Sequence, residues 1–416
     1  MGALNLAEWQ KLPTSLSELC INTTLRCGQS FRWRKNDAGV WSMALHNRIL
    51  SLYQDPEHLY YRAIRPSQSP LQAPPTPPSS KPPSIPENDK DDDTLDLLKH
   101  YFNLNLNSTR LYEQWSASDS NFGKKAPTFT GIRIMNQDAW EALIGFICSS
   151  NNNISRISQM VHKLCIHYGP LLGHLDDHDH PYHDFPTPAA LAQDGVEAKL
   201  RALGFGYRAK YIHQTAQMVH AKGDAWLDSL RNPECPIFGI EAAPAGDWNV
   251  SGREGYRAAH SALLDLQGVG PKVADCVCLM GLGWGEAVPV DTHVWQIAQR
   301  DYKFGKGKHA SLTKATYDAI GDKFRGLWGQ EAGWAQSVLF TANLRAFSEQ
   351  LNAKEEKVEV KEEVTVKLEE GETVVEDVER REKVLQKVVK REREEEERQV
   401  LEVEEKVVRS KRRRRN

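Results

Sequence analysis

The sequence predicts an α+β chain, predominantly α: an N-terminal antiparallel β domain over residues 1–125, a helical domain over 126–350, and a charged tail over 351–416 that is disordered or helical. Three observations carry this. Between residues 25 and 64, aromatic and β-branched residues alternate with polar ones, the two-residue period of strands. From about Asp138 apolar residues recur three and four apart, the period of helices. Beyond residue 350, 19 basic and 20 acidic side chains crowd into 66 residues, too polar a composition for a packed core. A length of 416 residues, 40% of them apolar, leaves room for two or more buried cores ahead of that tail.

In chain order, SFRWR, VWSMAL and ILSLYQ are strands of one sheet, with a turn at Asn36-Asp37-Ala38-Gly39. Residues 66–93 hold nine prolines and end in the acidic run DKDDD. They bury too little apolar surface to offset ordering entropy and form a disordered insertion, a plain linker in preference to a polyproline ligand. Patterned sequence resumes after Asp93. Helices are expected at DAWEALIGFICSS, ISRISQMVHKLCIHY, PAALAQ, AKLRALG and YRAKYIHQTAQMVHA, with Ser, Asp or Pro near the starts and Gly near the ends. Irregular inserts at 173–187 and 231–252 separate the helices. His174, His178, His180 and His183 in the first insert have a metal-like composition, but they lie beside acidic residues on no regular element and read as a solvated loop. In the tail, disorder is expected before Gly371, and Val and Leu at mixed spacings beyond it suit a charged helix or weak coiled coil. The run KRRRR at 411–415 is of the nuclear-targeting or nucleic-acid-binding type, and a nuclear location is expected.

Composition excludes several classes. The N-terminus, MGALNLAEWQKL, lacks a basic region followed by an apolar core, so no secretory signal is expected. Leu6 stands where a myristoylation motif has Ser or Thr, and no apolar stretch approaches the roughly 18 residues of a membrane span. A soluble intracellular protein with no membrane partner is expected. The seven cysteines are scattered, odd in number and without a CxxC pair, which fits reduced thiols. A net charge of −3 argues at first sight against a nucleic-acid partner, yet partners feel local potential rather than the sum.

The chemistry concentrates in residues 258–283, AAHSALLDLQGVGPKVADCVCLMGLG. A helix ends at Leu266-Gln267, Gly268-Val269-Gly270 turns the chain, and Pro271 opens a second helix at its favoured first position, a helix-hairpin-helix with its hairpin at 266–272. Glycines let backbone amides approach a phosphate, and the helix N-terminus adds donors and positive potential. Gly268 and Gly270 are therefore candidates for gripping a DNA backbone without reading its sequence. Lys272 lies in the first helical turn, where the positive end of a helix dipole disfavours an ammonium and so favours a free amine. It reads as a nucleophile or as a phosphate-binding lysine. Asp291, 19 residues on in AVPVDTHVW, is an N-cap for a helix starting at Thr292. Lys272 and Asp291 bracket one short helix and turn, so both could face one cleft.

LQGVGPKVADCVCLM followed by VPVDTHVW resembles the helix-hairpin-helix DNA glycosylase superfamily and, within it, the eukaryotic 8-oxoguanine DNA glycosylases. GQSFRW (28–33), FICSSNNNISR (146–156), LGFGYRAKY (203–211) and GWAQSVLFTANLR (333–345) match in the family's order. The resemblance covers nearly all of residues 10–347 and omits the Pro-rich insertion, the insert at 233–252 and the tail. It implies a TBP-like N-terminal β domain, a helix-hairpin-helix glycosylase domain and a bifunctional glycosylase and AP lyase. The damaged nucleotide is flipped out of the duplex, and Lys272 attacks C1′ of the sugar, displacing the oxidised base and leaving an imine. Asp291 stabilises the charge developing on the sugar and helps deprotonate the nucleophile. Loss of a proton from the imine then permits β-elimination, which nicks the strand 3′ to the lesion.

Other roles rest on the resemblance. The backbone carbonyl of Gly28 would accept the N7 hydrogen that 8-oxoguanine has and guanine lacks. Gln336 would read the Watson-Crick edge and Phe340 stack on the base, being four apart on one helical face, although amphipathic packing also accounts for them. Cys276 would line the pocket, or is a small buried hydrophobe. His293 would lie near the lesion phosphate, or is a half-buried structural histidine. Asn151, Arg156 and Arg208 would hold the orphaned cytosine, and Tyr207 would wedge the duplex open. For Asn151 the alternative is a helix-boundary cluster, and for Tyr207 a core aromatic.

No cofactor is expected. No cysteine follows Cys278, so the four-cysteine iron–sulfur cluster of the related endonuclease III and adenine-mismatch enzymes is not expected. Lys272 sets the chain apart from alkyl-base glycosylases, which share the aspartate and lack the lysine. The expected function is excision of 8-oxoguanine paired with cytosine in base excision repair. The expected partner is damaged double-stranded DNA, bound by a monomer, with the tail available to other proteins or nucleic acid. A glycosylase for another damaged base and a catalytically silent DNA-binding scaffold are the alternatives.

Overall fold

Alternating apolar residues build the N-terminal sheet, and it is buried on both faces rather than one. In the computed structural model, which describes residues 9–65, 92–175, 181–223, 225–305, 311–344 and Phe347, five antiparallel strands, β1 (Gln10–Pro13), β2 (Arg34–Lys35), β3 (Trp41–Leu45), β4 (Arg48–Gln54) and β5 (His58–Ile64), are ordered β1-β5-β4-β3-β2. The β4–β5 ladder runs from Ile49 opposite Ile64 to Gln54 opposite Leu59. Met43, Leu45, Leu50 and Leu52 pack on Leu97, Leu98 and Tyr101. Ala44, Ile49 and Ile64 meet Leu175 and Tyr182. With both faces covered, every residue of β3 is buried.

Three expectations for this region need correcting. SFRWR gives only Arg34 to the sheet: Phe31 turns edge-on to Phe146, and Arg32 makes a bidentate ion pair with Glu141 at 2.9 and 2.7 Å. The insert at 173–187 is partly regular, because β6 (Leu171–Gly173) pairs with β7 (Tyr182–His183), and Leu175 and Tyr182 cover the sheet from there. His183 thus lies on a strand, its Nδ1 donating to the Gly169 carbonyl at 3.0 Å. Finally, order resumes at Asp92 rather than after Asp93. Asp92 accepts from the Thr94 hydroxyl at 2.6 Å, and Asp93 pairs with Arg48 and Arg65, both at 2.6 Å. The rest of the Pro-rich insertion, His178, His180, and the tail with its basic cluster lie outside the described residues.

Helices follow: α1 (Ile21–Thr24), α2 (Thr94–Tyr101), α3 (Ser108–Ser118), α4 (Ser120–Lys125), α5 (Ala139–Ser149), α6 (Ile154–Tyr168), α7 (Pro188–Leu191), α8 (Val196–Ala202), α9 (Arg208–Lys222), α10 (Glu254–Leu264), α11 (Pro271–Met280), α12 (Thr292–Tyr302), α13 (Lys314–Trp328) and α14 (Ala332–Asn343). Side chains of Asp138, Asn153, Thr187 and Thr313 cap the starts of α5, α6, α7 and α13, satisfying amides that have no partner inside a helix. PAALAQ is helical only to Leu191, and α10 runs from Glu254 to Leu264, so the first hairpin helix stops short of the end expected at Leu266-Gln267. Helices α5 and α11 form the buried centre; a Cβ on Gly281, just past α11, would stand 2.9 Å from that of Ala142.

Aromatic packing joins early and late segments. Trp115 of α3 donates to the Trp328 carbonyl at 3.2 Å and meets Trp334 edge-on. Arg133, buried against the Trp334 ring, donates to the carbonyls of Phe102 at 2.9 Å and Glu18 at 2.8 Å. The chain through Leu344 therefore packs as one unit. The insert at 233–252 contains no helix or strand and is held by Phe238 against the His46 and His100 rings and by the Glu234–Arg253 pair at 2.6 Å.

Candidate active site

The hairpin has the geometry its glycines require. Gly268 sits at φ +76°, and a Cβ there would lie 2.6 Å from Cγ of Tyr211, so no other residue fits. Gly270 is extended at φ −102°, and a Cβ there would meet nothing within 4 Å, so its backbone is open to a ligand. Pro271 then starts α11. Helix α9 braces the turn: Tyr211 fills the space at Gly268, and Thr215 donates to the Gln267 carbonyl at 2.7 Å.

Lys272 leaves the first turn of α11 toward α5. Its Nζ donates to Ser149 Oγ at 3.5 Å and stands 5.3 Å from the centroid of the Phe146 ring. Cys276, one turn on, is buried, and that burial pushes its thiol up to about 11, against the pull of Lys272. Asp291 caps α12, one carboxylate oxygen accepting from the Val294 amide at 2.9 Å. Gln336 and Phe340 lie one turn apart on α14. These residues and Gly28 line one open cleft of about 430 Å³, so Lys272 and Asp291, which their spacing allowed to share a cleft, come together with Cys276, Gly28, Gln336 and Phe340, which the resemblance placed beside them. His293 is exposed rather than half-buried and stands edge-on to Phe340, 6.0 Å between ring centroids, at the cleft's rim.

Sequence reading did not single out Gln29 or Phe146, which also line the cleft. Gly28 is held at φ +85°, with Ile154 3.1 Å from where a Cβ would be. Gln29 locks it in place: its side chain donates to the Arg133 carbonyl at 2.8 Å and accepts from the Met135 amide at 3.0 Å, while its own carbonyl accepts from Gln137 at 3.0 Å. GQSFRW contained this residue, but a glutamine in a strand-like run carries no signal of its partners.

A second cluster surrounds the turn after α5. Asn151 is exposed in the left-handed region at φ +48°, and Arg156 is exposed in the first turn of α6. Tyr207 is 47% exposed, so it is no core aromatic, and its hydroxyl donates to the Ser150 carbonyl at 3.0 Å. Arg208 is buried and donates to the carbonyls of Ser150 and Asn151. Asn153 caps α6 through the Arg156 amide at 2.9 Å, so the asparagine run is a helix boundary as well. This cluster begins one residue beyond Ser149, the partner of Lys272.

Beneath α11 lies a buried polar set. Asp275 accepts from the Tyr256 hydroxyl at 2.6 Å and the Tyr317 hydroxyl at 2.5 Å, with His260 Nε2 at 3.7 Å. Burial pushes its carboxyl above the usual range, against the charge of His260 and the two tyrosine hydrogen bonds. Among the described residues no group of three or more His, Cys, Asp or Glu is arranged to hold a metal.

A family model described as the 8-oxoguanine DNA glycosylase N-terminal domain matches residues 11–143, and one described as the HhH-GPD superfamily base excision DNA repair protein matches 144–320. The chain is 36% identical over 351 residues to a Saccharomyces cerevisiae N-glycosylase/DNA lyase, covering 80% of this chain and 86% of that one. It is 35% identical over 366 residues to the Arabidopsis thaliana N-glycosylase/DNA lyase OGG1, covering 85% and 87%. A solved structure of MBOgg1 in complex with a low-affinity DNA ligand superimposes with a TM-score of 0.59 at 25% identity, over 82% of this chain and 98% of that one.

Proposed function

Since the chain belongs to the 8-oxoguanine DNA glycosylase family of HhH-GPD base excision repair proteins and is an N-glycosylase/DNA lyase, we propose that it excises 8-oxoguanine paired with cytosine from duplex DNA and then cleaves the abasic strand. The observation that carries this is the convergence of Lys272 and Asp291 with Gly28, Gln336 and Phe340 in one cleft. The hairpin amides at Gly270 and the start of α11 grip a phosphate, Tyr207 enters the stack, and the flipped nucleotide lies in the cleft. Phe340 stacks on the base and Gln336 bonds its edge, while the Gly28 carbonyl accepts the N7 hydrogen of the lesion.

Lys272 Nζ attacks C1′ as the C1′–N9 bond breaks, and the bonding electrons leave with the base, which takes up a proton. Asp291 faces the positive charge that develops on the sugar. One amine proton passes to the departing base and the other to O4′ as the C1′–O4′ bond breaks and the imine forms, and removal of a C2′ proton then expels the 3′ phosphate. Borohydride reduction during turnover on a duplex carrying 8-oxoguanine opposite cytosine should trap a covalent adduct that Lys272→Gln abolishes. No adduct from the native chain, or an undiminished one from the variant, overturns the reading, and faster excision of another damaged base in competition reassigns the substrate. The cluster at 411–415 is proposed as a nuclear-targeting signal, and unchanged location after its removal refutes that.

A further inference from the structure

The roles given to Lys272 and Asp291 require the two to be held at a fixed separation, yet they stand on different segments. Lys272 is on α11, and Asp291 follows a buried stretch, Ala287, Val288 and Val290, that is neither helix nor strand. Such a stretch has no ladder of its own to fix it. One side chain spans the gap. The hydroxyl of Tyr317, on α13, donates to Asp275 at 2.5 Å and accepts from the backbone amide of Val290 at 3.3 Å. Asp275 lies one turn from Lys272 on α11, and Val290 immediately precedes Asp291. Both Asp275 and Val290 are 2% exposed, so the groups at the two ends of the link are withdrawn from bulk water and depend on a protein partner.

We propose that Tyr317 is a positioning residue whose hydroxyl ties the helix carrying Lys272 to the segment carrying Asp291 and thereby sets their separation. This rests on the reading of Lys272 and Asp291 as the reacting pair. Removing the hydroxyl leaves a buried donor and a buried acceptor without their partner, and the amide of Val290 and the carboxylate of Asp275 can recover bonds only by moving. Reaction rates fall steeply when attacking and stabilising groups shift by an ångström, whereas phosphate contacts at the hairpin, on the far side of α11's first turn, do not depend on that distance. Tyr256 supplies the control. It donates to the same carboxylate at 2.6 Å through the other oxygen, but among the described residues no hydrogen bond links it to the Asp291 segment.

The test compares full-length Tyr317→Phe and Tyr256→Phe with the native chain on a duplex carrying 8-oxoguanine opposite cytosine. Single-turnover excision, borohydride trapping, DNA affinity and thermal midpoint are measured. Tyr317→Phe should lower the excision rate and the trapped fraction by roughly 10- to 100-fold, with Kd within about two-fold of native, and Tyr256→Phe should stay within about three-fold in rate. A native rate for Tyr317→Phe, or equal losses in the two variants, overturns the proposal. Should Tyr317→Phe not fold, Asp275→Asn replaces it: slower excision than Tyr256→Phe supports the link, and equal rates refute it. If the native chain itself neither excises nor traps, the functional reading fails; failure of the Tyr317 link alone leaves native excision intact.

Discussion

Asp291 serves as a helix cap and as a charge, and substitution can separate the two. Asp291→Asn keeps a side-chain oxygen for the Val294 amide, so urea unfolding should change by no more than about 0.5 kcal/mol, whereas Asp291→Ala should cost about 1 kcal/mol. Both should lower single-turnover excision by roughly 10²-fold or more, because the lost electrostatic stabilisation is common to them. Asp291 and Lys272 were legible in sequence because a cap after proline and a lysine in a first helical turn are local features with local causes. Gln29 was not, since its three partners at Arg133, Met135 and Gln137 are about a hundred residues away.

At the scale of elements, the hairpin's two glycines should behave differently. Gly268→Ala forces a left-handed backbone and meets Tyr211, and should destabilise the fold by about 1–3 kcal/mol. Gly270→Ala has an ordinary φ and free space, so it should unfold like the native chain but weaken binding to undamaged duplex, by several-fold in a Kd measurement. The junction of α2 with the segment before α5 is pH-sensitive. Burial, reinforced by Arg231, holds the half-buried His100 ring near 4 instead of 6.5, with its Nε2 against the Asn136 amide at 2.9 Å. The folded chain thus binds fewer protons there than the unfolded chain, so the contribution is complete above pH 6.5 and is lost as pH falls from 6.5 toward 4. The loss should be on the order of 2 kcal/mol, and His100→Gln should flatten the stability profile in that window. Helix periodicity located α5, α6 and α9 almost to the residue. The two-residue strand period misplaced SFRWR, because an apolar alternation cannot distinguish a strand from a segment whose Phe31 and Arg32 turn inward to Phe146 and Glu141.

For the whole molecule, charge was a poor guide. The 34 basic and 36 acidic residues outside the tail sum to nearly nothing, and the proposed grip uses backbone amides and a few placed side chains. A log–log plot of affinity for undamaged duplex against salt should therefore be no steeper than about −4. Because the chain through Leu344 packs as its own unit, deleting residues 351–416 should leave single-turnover excision within about two-fold of native; a ten-fold loss would assign the tail a part in the chemistry.

The hairpin, the lysine–aspartate pair and the helical body were legible from local stretches of chain, since each depends on residue preferences that act over one or two turns, and the family resemblance was legible from short motifs in a fixed order. That the sheet is covered on both faces, that Gln29 locks Gly28, and that Tyr317 joins Asp275 to Val290 emerged from the folded packing alone. Those facts are contacts between segments far apart in sequence, and hydrogen bonds of that kind leave no periodicity behind them.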